Sequence, residues 1–105
     1  MTASLNSLIG KYINQYGYSD VNPIGKIIGI KGKSTLIVQT VKAMISSDWK
    51  PEWMPGGFSA ICINNAHQRW EFTEEDHHIE IRYSKQFLKR HKVEDHPKSY
   101  YDYNF

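Results

Sequence analysis

The stretch of sequence that decides the fold is IGKIIGIKGKSTLIVQTVKAMI, at residues 24–45. Its two halves, 24–30 and 34–45, are rich in apolar and β-branched residues, which are enriched in β-strands. Lys31-Gly32-Lys33 separates the halves, and three residues that include a glycine are a common length for a hairpin connection. The stretch therefore predicts two antiparallel strands joined by a tight turn. Within the first strand, Gly25 and Gly29 predict a bulge or bend where the sheet curls.

The segments on either side of this hairpin are also typical of short elements. Residues 5–16 fit both helical spacing and strand alternation, and we favour a helical turn followed by a strand. Residues 85–92 fit a short helix or an edge strand, and this alternative stays open. The expected elements are a helical turn near 2–9, a strand near 11–18, a turn at 19–23, a loop at 46–57, a strand at 58–63, a turn at 64–67 and a second hairpin of 68–73 and 78–84 with its tip at 74–76.

About five short strands punctuated by glycine predict a fold that is all-β, or mainly β with one or two short helices. The chain has 105 residues, which is enough for one hydrophobic core, so we expect a single domain over 1–105. The expected architecture is a small curled sheet or barrel, SH3-like or OB-like, with an aromatic tail at residues 100–105 docked on it.

Composition limits the class of protein further. A hydrophobic share of 40% and a charged share of 23% are ordinary for a folded soluble protein. The net charge of +2 excludes a strongly acidic mimic of DNA and does not by itself demand a nucleic-acid partner. The single cysteine, Cys62, allows no internal disulfide, and the sequence contains neither a signal peptide nor a long apolar run. These features predict a cytoplasmic protein without a membrane partner.

The residue patterns that carry enzyme chemistry are missing from the sequence. It contains no glycine-rich phosphate loop, no Gly-x-Ser-x-Gly and no His-Glu-x-x-His. His77 and His78 are adjacent in a predicted strand and point to opposite faces, so they cannot chelate one metal ion together. Cys62 lies within an apolar strand and is expected to be a small core residue. We therefore expect no enzyme activity, no metal site and no cofactor.

Basic residues form two groups in the sequence. The first lies at the predicted hairpin and the second at 85–92, and together they predict a stripe that contacts the phosphates of DNA or RNA. Outward tyrosines beside the stripe would stack on unpaired bases. The alternative is an ordinary solvated face, because small β-proteins often protect sheet edges with lysine. The candidate nucleic-acid-binding residues are Lys26, Lys31, Lys33, Lys85, Lys89, Arg90 and Lys92.

Aromatic residues form a second candidate surface. The tail contains three tyrosines and Phe105, and aromatic rings are costly to leave in water. It is expected to add a final strand or to plug the open end of the barrel. Alternatively, it binds a partner, with the Phe105 carboxylate pairing with a lysine or backbone N–H groups. Two tryptophans in the loop 46–57 are expected to fold over the sheet. The candidate partner-binding residues are Trp49, Trp53, Tyr101, Tyr103 and Phe105.

Four pieces of the chain together resemble a known group of proteins. They are Tyr18-Ser19-Asp20, the stretch 49–58 that ends in Met54-Pro55-Gly56-Gly57-Phe58, Gln68-Arg69-Trp70 and Tyr101-Asp102-Tyr103-Asn104-Phe105. In this order they resemble small uncharacterised proteins encoded by bacteriophages and plasmids, over roughly residues 17–105. The resemblance implies an accessory protein in the bacterial cytosol that acts on host machinery or a nucleic acid. It implies no particular mechanism.

Three functions follow from these observations as hypotheses. The first is a non-enzymatic binding module that contacts nucleic acid through the lysine-rich stripe. The alternative is a protein–protein module that inhibits or modulates a host defence or regulatory factor through Trp49, Trp53 and the tail. The third is a small-molecule or nucleotide binder with a pocket lined by Trp49, Trp53 and Trp70.

Overall fold

The computed structural model describes residues 5–56 and 59–104, which form seven β-strands, one α-helix and two 3₁₀ turns. The strands are β1 (Tyr12–Tyr16), β2 (Val21–Lys31), β3 (Thr35–Ile45), β4 (Trp53–Gly56), β5 (Ser59–Cys62), β6 (Trp70–Arg82) and β7 (His91–Glu94). Helix α1 spans Lys85–Leu88, and the 3₁₀ turns span Leu5–Leu8 and Asn65–His67. Residues 2–4 of the predicted helical turn, residues 57–58 and Phe105 lie outside the described residues.

Five of the strands form one antiparallel sheet in the order β6-β3-β2-β1-β7, and β4 and β5 form a separate two-stranded hairpin. In the described part of the chain, β6 and β7 lie at opposite edges of the large sheet. The sheet is therefore open and curled, and it does not close into a barrel. The prediction of a mainly β, single-domain curled sheet is confirmed. The molecule is elongated, with principal extents of 56 × 27 × 18 Å.

The central hairpin of β2 and β3 forms as the sequence predicts. Gly32 lies in its turn with a φ of 63°, a left-handed conformation that glycine adopts readily. The register of β2 and β3 shifts between Ile27 and Gly29, so one predicted glycine does mark a bulge. At Gly25, an added Cβ would overlap the Gln39 carbonyl oxygen and lie 2.6 Å from a Val38 methyl carbon. Only glycine therefore permits this close approach of β2 to β3.

The second predicted hairpin is wrong. Residues 68–84 were expected to fold back at 74–76, but Trp70–Arg82 is one continuous strand that pairs with β3 along its whole length. The register runs from Ile45 opposite Trp70 to Thr35 opposite Arg82. Since both halves of β6 use the same partner strand, they cannot pair with each other. Residues 75–77 bulge out opposite Thr40, where the register shifts, and this bulge is what resembles a turn in the sequence.

Two smaller predictions are also corrected by the pairing, and one open alternative is decided. The expected loop 46–57 contains β4, which becomes a strand because it pairs with β5. The expected turn at 19–23 is shorter, because β2 begins at Val21, opposite Tyr16 of β1. Residues 85–92 contain both of the alternatives, since α1 is followed by the edge strand β7.

The main core lies on one face of the large sheet, and helix α1 covers it. Ser84 begins the helix by accepting a hydrogen bond from the Phe87 N–H at 3.2 Å, as an N-cap serine does. Phe87 then packs into the core. The buried core residues are Ile13, Ile27, Leu36, Val38 and Phe87.

On the opposite face, the buried side chain of Asn14 holds the segment that follows β7. The Asn14 amide donates to Glu94 Oε1 and to the His96 carbonyl, both at 3.0 Å. Its oxygen accepts a hydrogen bond from the Lys98 N–H at 2.9 Å. One amide therefore satisfies three groups and fixes how residues 95–98 cross the sheet.

The Glu94 carboxylate is the charged centre of this contact. Tyr16 Oη donates to Glu94 at 2.5 Å, and Lys98 Nζ lies 2.7 Å from it. Partial burial opposes ionisation of Glu94, but hydrogen bonds from Lys98, Tyr16 and Asn14 outweigh it and lower the pKa of the carboxyl to about 2. Burial, together with the hydrogen bond to Glu94, raises the pKa of Tyr16.

This lowered pKa predicts that the protein loses stability in acid. Because the folded pKa lies below the ordinary value of 4.5, the stabilisation is present above pH 4.5 and is lost as the pH falls towards 2. After allowance for solvent screening, we expect a loss of about 1 kcal/mol between about pH 6 and pH 3. Urea unfolding at both pH values measures this loss. The variant Glu94→Gln should reduce it, whereas Glu80→Gln on the exposed part of the same face should not. An equal loss in both variants would contradict the assignment to Glu94.

Candidate functional site

The structure places three of the seven predicted cations on the face of the sheet opposite the main core. Lys26 lies over the Tyr12 ring at 5.9 Å from its centroid, and Lys92 lies over the Tyr16 ring at 4.8 Å. Acidic side chains lie among these lysines on the same face. Lys26 is 3.9 Å from Glu74, and Lys31 is 3.4 Å from Glu80. This face therefore carries alternating charge.

The other cations are not gathered with these three. Lys33 is exposed in the β2–β3 turn, while Lys85, Lys89 and Arg90 belong to α1 and the turn that follows it. Helix α1 covers the core face, which is opposite to the face that carries Lys26 and Lys92. The two basic groups therefore do not converge into one stripe. Nucleic-acid binding through all seven cations stays a prediction.

The described part of the tail crosses the end of the molecule where β2 begins. Tyr100 and Val21 exchange two backbone hydrogen bonds of 2.9 Å, which form an isolated antiparallel bridge. The Gln68 side chain then forms hydrogen bonds with both backbone groups of Tyr101. Its oxygen accepts from the Tyr101 N–H at 3.0 Å, and its amide nitrogen donates to the Tyr101 carbonyl. Trp70 Nε1 also donates to the Gln68 oxygen, at 2.9 Å.

Beyond this bridge, the tail enters a cluster of aromatic rings. Tyr103 lies 5.6 Å from Trp49 and 6.1 Å from Trp53 between ring centroids, and Tyr101 stacks edge-on against it at 4.8 Å. Trp49 is buried, and among the described residues its indole Nε1 has no hydrogen-bond partner. The structure thus brings together four of the five predicted partner-binding residues, and Phe105 lies outside the described range.

None of the pockets described for residues 5–56 and 59–104 is lined by all three tryptophans of the predicted small-molecule site. Tyr103 occupies the space beside Trp49 and Trp53. Trp70 lines a different, shallow pocket with Phe72 and Tyr100. The small-molecule site lined by Trp49, Trp53 and Trp70 is therefore corrected, because the chain itself fills the space.

The amide side chains of Asn104 and Asn65 attach the tail to the β4–β5 hairpin and the turn after it. Asn104 accepts from the Cys62 N–H at 2.8 Å and donates to the Cys62 carbonyl at 3.0 Å, so it pairs with the outer edge of β5 as a neighbouring strand would. Asn65 donates to the Tyr100 hydroxyl and to Asp102. Cys62 is buried, with its thiol 3.3 Å from Asn64 Oδ1.

Met54, Ile61 and Ile63 are exposed on one face of the β4–β5 hairpin, and we call this face the apolar hairpin surface. Trp53 is half-exposed on the opposite face, because it is the register partner of buried Cys62. Trp53 is 50% exposed, Met54 49%, Ile61 45% and Ile63 53%. Met54 and Ile61 lie directly opposite each other in the register, and Trp53 contacts the tail through Tyr103. Exposed apolar groups that are contiguous in this way commonly mark an interaction site.

The edges of this hairpin are poorly suited to accept another strand. The bidentate contact of Asn104 shows that the backbone groups of Cys62 point away from β4. Trp53, its register partner, therefore points its own backbone groups outward, and so does Pro55 two residues later. Proline has no N–H, which leaves the β4 edge short of a donor. Side chains are thus the groups that this surface offers to a partner.

The sequence pattern predicts Trp53 as a binding residue but does not predict Met54, Ile61 and Ile63. The missing information was the pairing of β4 with β5, since exposure of Met54 and Ile61 follows from it. The alternation of Ile61, Cys62 and Ile63 is the signal in the sequence, because one face of a two-stranded hairpin is left uncovered when the other is buried.

No known protein family, curated protein or solved structure matches the chain. Within residues 5–56 and 59–104, no three His, Cys, Asp or Glu side chains are grouped to hold a metal ion. No helix in the same ranges is long and apolar enough to cross a membrane.

Proposed function

We propose that this protein is a non-enzymatic binding module that contacts a partner protein through the apolar hairpin surface. The observation that carries the proposal is the half-exposure of Met54, Ile61 and Ile63 on one face of a small hairpin. Apolar side chains, methionine among them, form the buried core of interfaces, where removal of their surface from water favours binding.

The packing beneath the surface supports this proposal. Trp53 contacts Tyr103, and the β5 edge is bound by Asn104, so the hairpin is held to the tail from below. A surface that is already rigid loses less conformational entropy when a partner binds. The exposed side chains are therefore presented in a fixed arrangement.

The proposed partner is a host defence or regulatory factor, as the resemblance to phage and plasmid proteins implies. An accessory protein of a mobile element would act by covering a functional surface of that factor. The proposal needs no chemistry from this chain, only a complementary apolar pocket on the partner.

The proposal predicts that Ile61→Ser and Met54→Ser each weaken partner binding by about fivefold or more without unfolding the protein. Each variant removes exposed apolar contact area, and replacement of a central interface residue commonly weakens binding by more than 1 kcal/mol, or about fivefold. The measurement is capture of interacting proteins from cells that naturally contain this chain, followed by a binding titration with the captured protein.

Leu88→Ser is the matched control for these variants. Leu88 is 47% exposed in α1, so it has similar exposure but lies outside the hairpin. We expect Leu88→Ser to bind like the wild type. Equal binding by Ile61→Ser and Leu88→Ser would exclude the apolar hairpin surface as the binding site.

A further inference from the structure

A pocket outside the hairpin surface lies where the β1–β2 turn meets the beginning of β7. Its volume is about 480 Å³, within the usual range for a small-molecule site. Its lining includes the Gln15, Tyr16, Tyr18 and Arg90 side chains. Of the site residues predicted from the sequence, Arg90 alone is among the described residues of this lining.

Tyr18 is the most exposed aromatic residue of the described chain and stands at the rim of the pocket. Its side chain is fully exposed, at the tip of the turn between β1 and β2. The turn is closed by a hydrogen bond of 2.9 Å from the Gly17 N–H to the Asp20 carbonyl. Tyr18 therefore offers a free ring face on a short, closed turn, and such a ring can stack on a planar ligand.

Four polar side chains around the pocket have unused hydrogen-bonding capacity. Within the described part of the chain, Gln15, Asp20, Asn22 and Arg90 make no side-chain hydrogen bond or ion pair. Asp20 and Arg90 have opposite charges and line the same pocket without forming an ion pair. The space between them can therefore hold a ligand that donates to Asp20 and carries negative charge towards Arg90.

Arg90 gives the pocket a group that can bind an anion. Arg90 is fixed through its backbone, because its carbonyl accepts from the Tyr16 N–H at 2.7 Å. Arg90 is the one cation among the described lining residues, and its guanidinium can donate two parallel hydrogen bonds to a phosphate group.

We propose that this pocket binds a purine nucleotide, either free or as one unit of a single strand. The base stacks on Tyr18, and Arg90 binds the phosphate. Asp20 accepts hydrogen bonds from the base edge, and Gln15 and Asn22 complete the contact. Guanine is favoured over adenine, because its N1–H and amino group present two adjacent donors to a carboxylate.

Nuclear magnetic resonance titration of the full chain tests this proposal. The probes are GMP, AMP, ribose 5-phosphate and a short guanine-containing single strand. We expect GMP to shift the amide signals of residues 15–22 and 90, and to bind more tightly than ribose 5-phosphate. If GMP binds tightly and the single strand does not, the ligand is a free nucleotide. If the single strand binds much more tightly than GMP, the ligand is one nucleotide of a strand. If neither GMP nor the single strand binds at millimolar concentration, the proposal is overturned. It is also overturned if the shifted signals belong to residues outside 15–22 and 90.

Variants separate stacking from simple charge attraction. Tyr18→Ala should weaken GMP binding at least fivefold, as expected for loss of base stacking, while Tyr18→Phe should retain it. Arg90→Gln should weaken binding of both GMP and ribose 5-phosphate, whereas Lys33→Gln removes an equal charge at the distant β2–β3 turn and should have little effect. Unchanged GMP binding by Tyr18→Ala would overturn the proposal. Ile61→Ser should not affect nucleotide binding, which distinguishes this site from the apolar hairpin surface.

Discussion

Deletion of residues 100–105 is expected to lower the free energy of unfolding by about 3–5 kcal/mol. The deletion removes the Tyr103 ring from between Trp49 and Trp53 and exposes buried Trp49 to water. It also removes the two backbone hydrogen bonds between Tyr100 and Val21. Burial of one large apolar side chain contributes about 1.5–3 kcal/mol, and the hydrogen bonds add to this. Urea unfolding followed by tryptophan fluorescence measures the effect.

A pair of tyrosine variants shows which part of the tail stabilises the fold. Tyr103→Ala should produce much of the loss, because its ring contacts both tryptophans. Tyr101→Ala should have a smaller effect, because Tyr101 is exposed and its hydrogen bonds to Gln68 use only backbone groups. An unchanged unfolding midpoint after the deletion would mark the tail as a recognition element that contributes little to the fold.

Asn14→Ala is expected to destabilise the protein by about 2–4 kcal/mol. The buried amide satisfies Glu94, the His96 carbonyl and the Lys98 N–H. Its removal leaves the two backbone groups without their partner and opens a cavity under the segment that follows β7. The free energy of unfolding in urea measures the loss.

Asn22→Ala is the matched control for this prediction. Asn22 also lies in a strand, but it is exposed and has no side-chain hydrogen bond in the described part of the chain. We expect its substitution to change stability by less than about 0.5 kcal/mol. If Asn14→Ala were equally mild, the contacts of the Asn14 amide would not be what holds residues 95–98 against the sheet.

The sequence predicts those parts of the fold that depend on local pattern. The hairpin of 24–45 follows from β-branched runs and a glycine turn, and Gly29 marks a real bulge. By contrast, 68–84 was predicted as a hairpin because its acidic centre resembles a turn. Which strand a segment pairs with is a long-range property, and β3 is long enough to pair with all of β6. Local pattern carries no information about that choice.

In the candidate sites, too, some features follow from local sequence and others depend on long-range pairing. The aromatic content predicts Trp49, Trp53 and Tyr103 as partner-binding residues, and in the structure Tyr103 contacts both tryptophans. The separation of the basic residues depends on the side of the sheet that α1 covers, which the lysine spacing does not reveal. The pocket beside Tyr18 depends on the pairing of β1 with β7, which brings Arg90 to the β1–β2 turn.

The most direct test of the proposed function is site-specific photo-crosslinking in the cells that naturally contain this protein. A photoreactive amino acid replaces Ile61 in one variant and Leu88 in another, and the two residues have similar exposure on different elements. We predict a discrete crosslinked protein from position 61 and none from position 88. No adduct at position 61, or the same adducts at both positions, would contradict binding through the apolar hairpin surface.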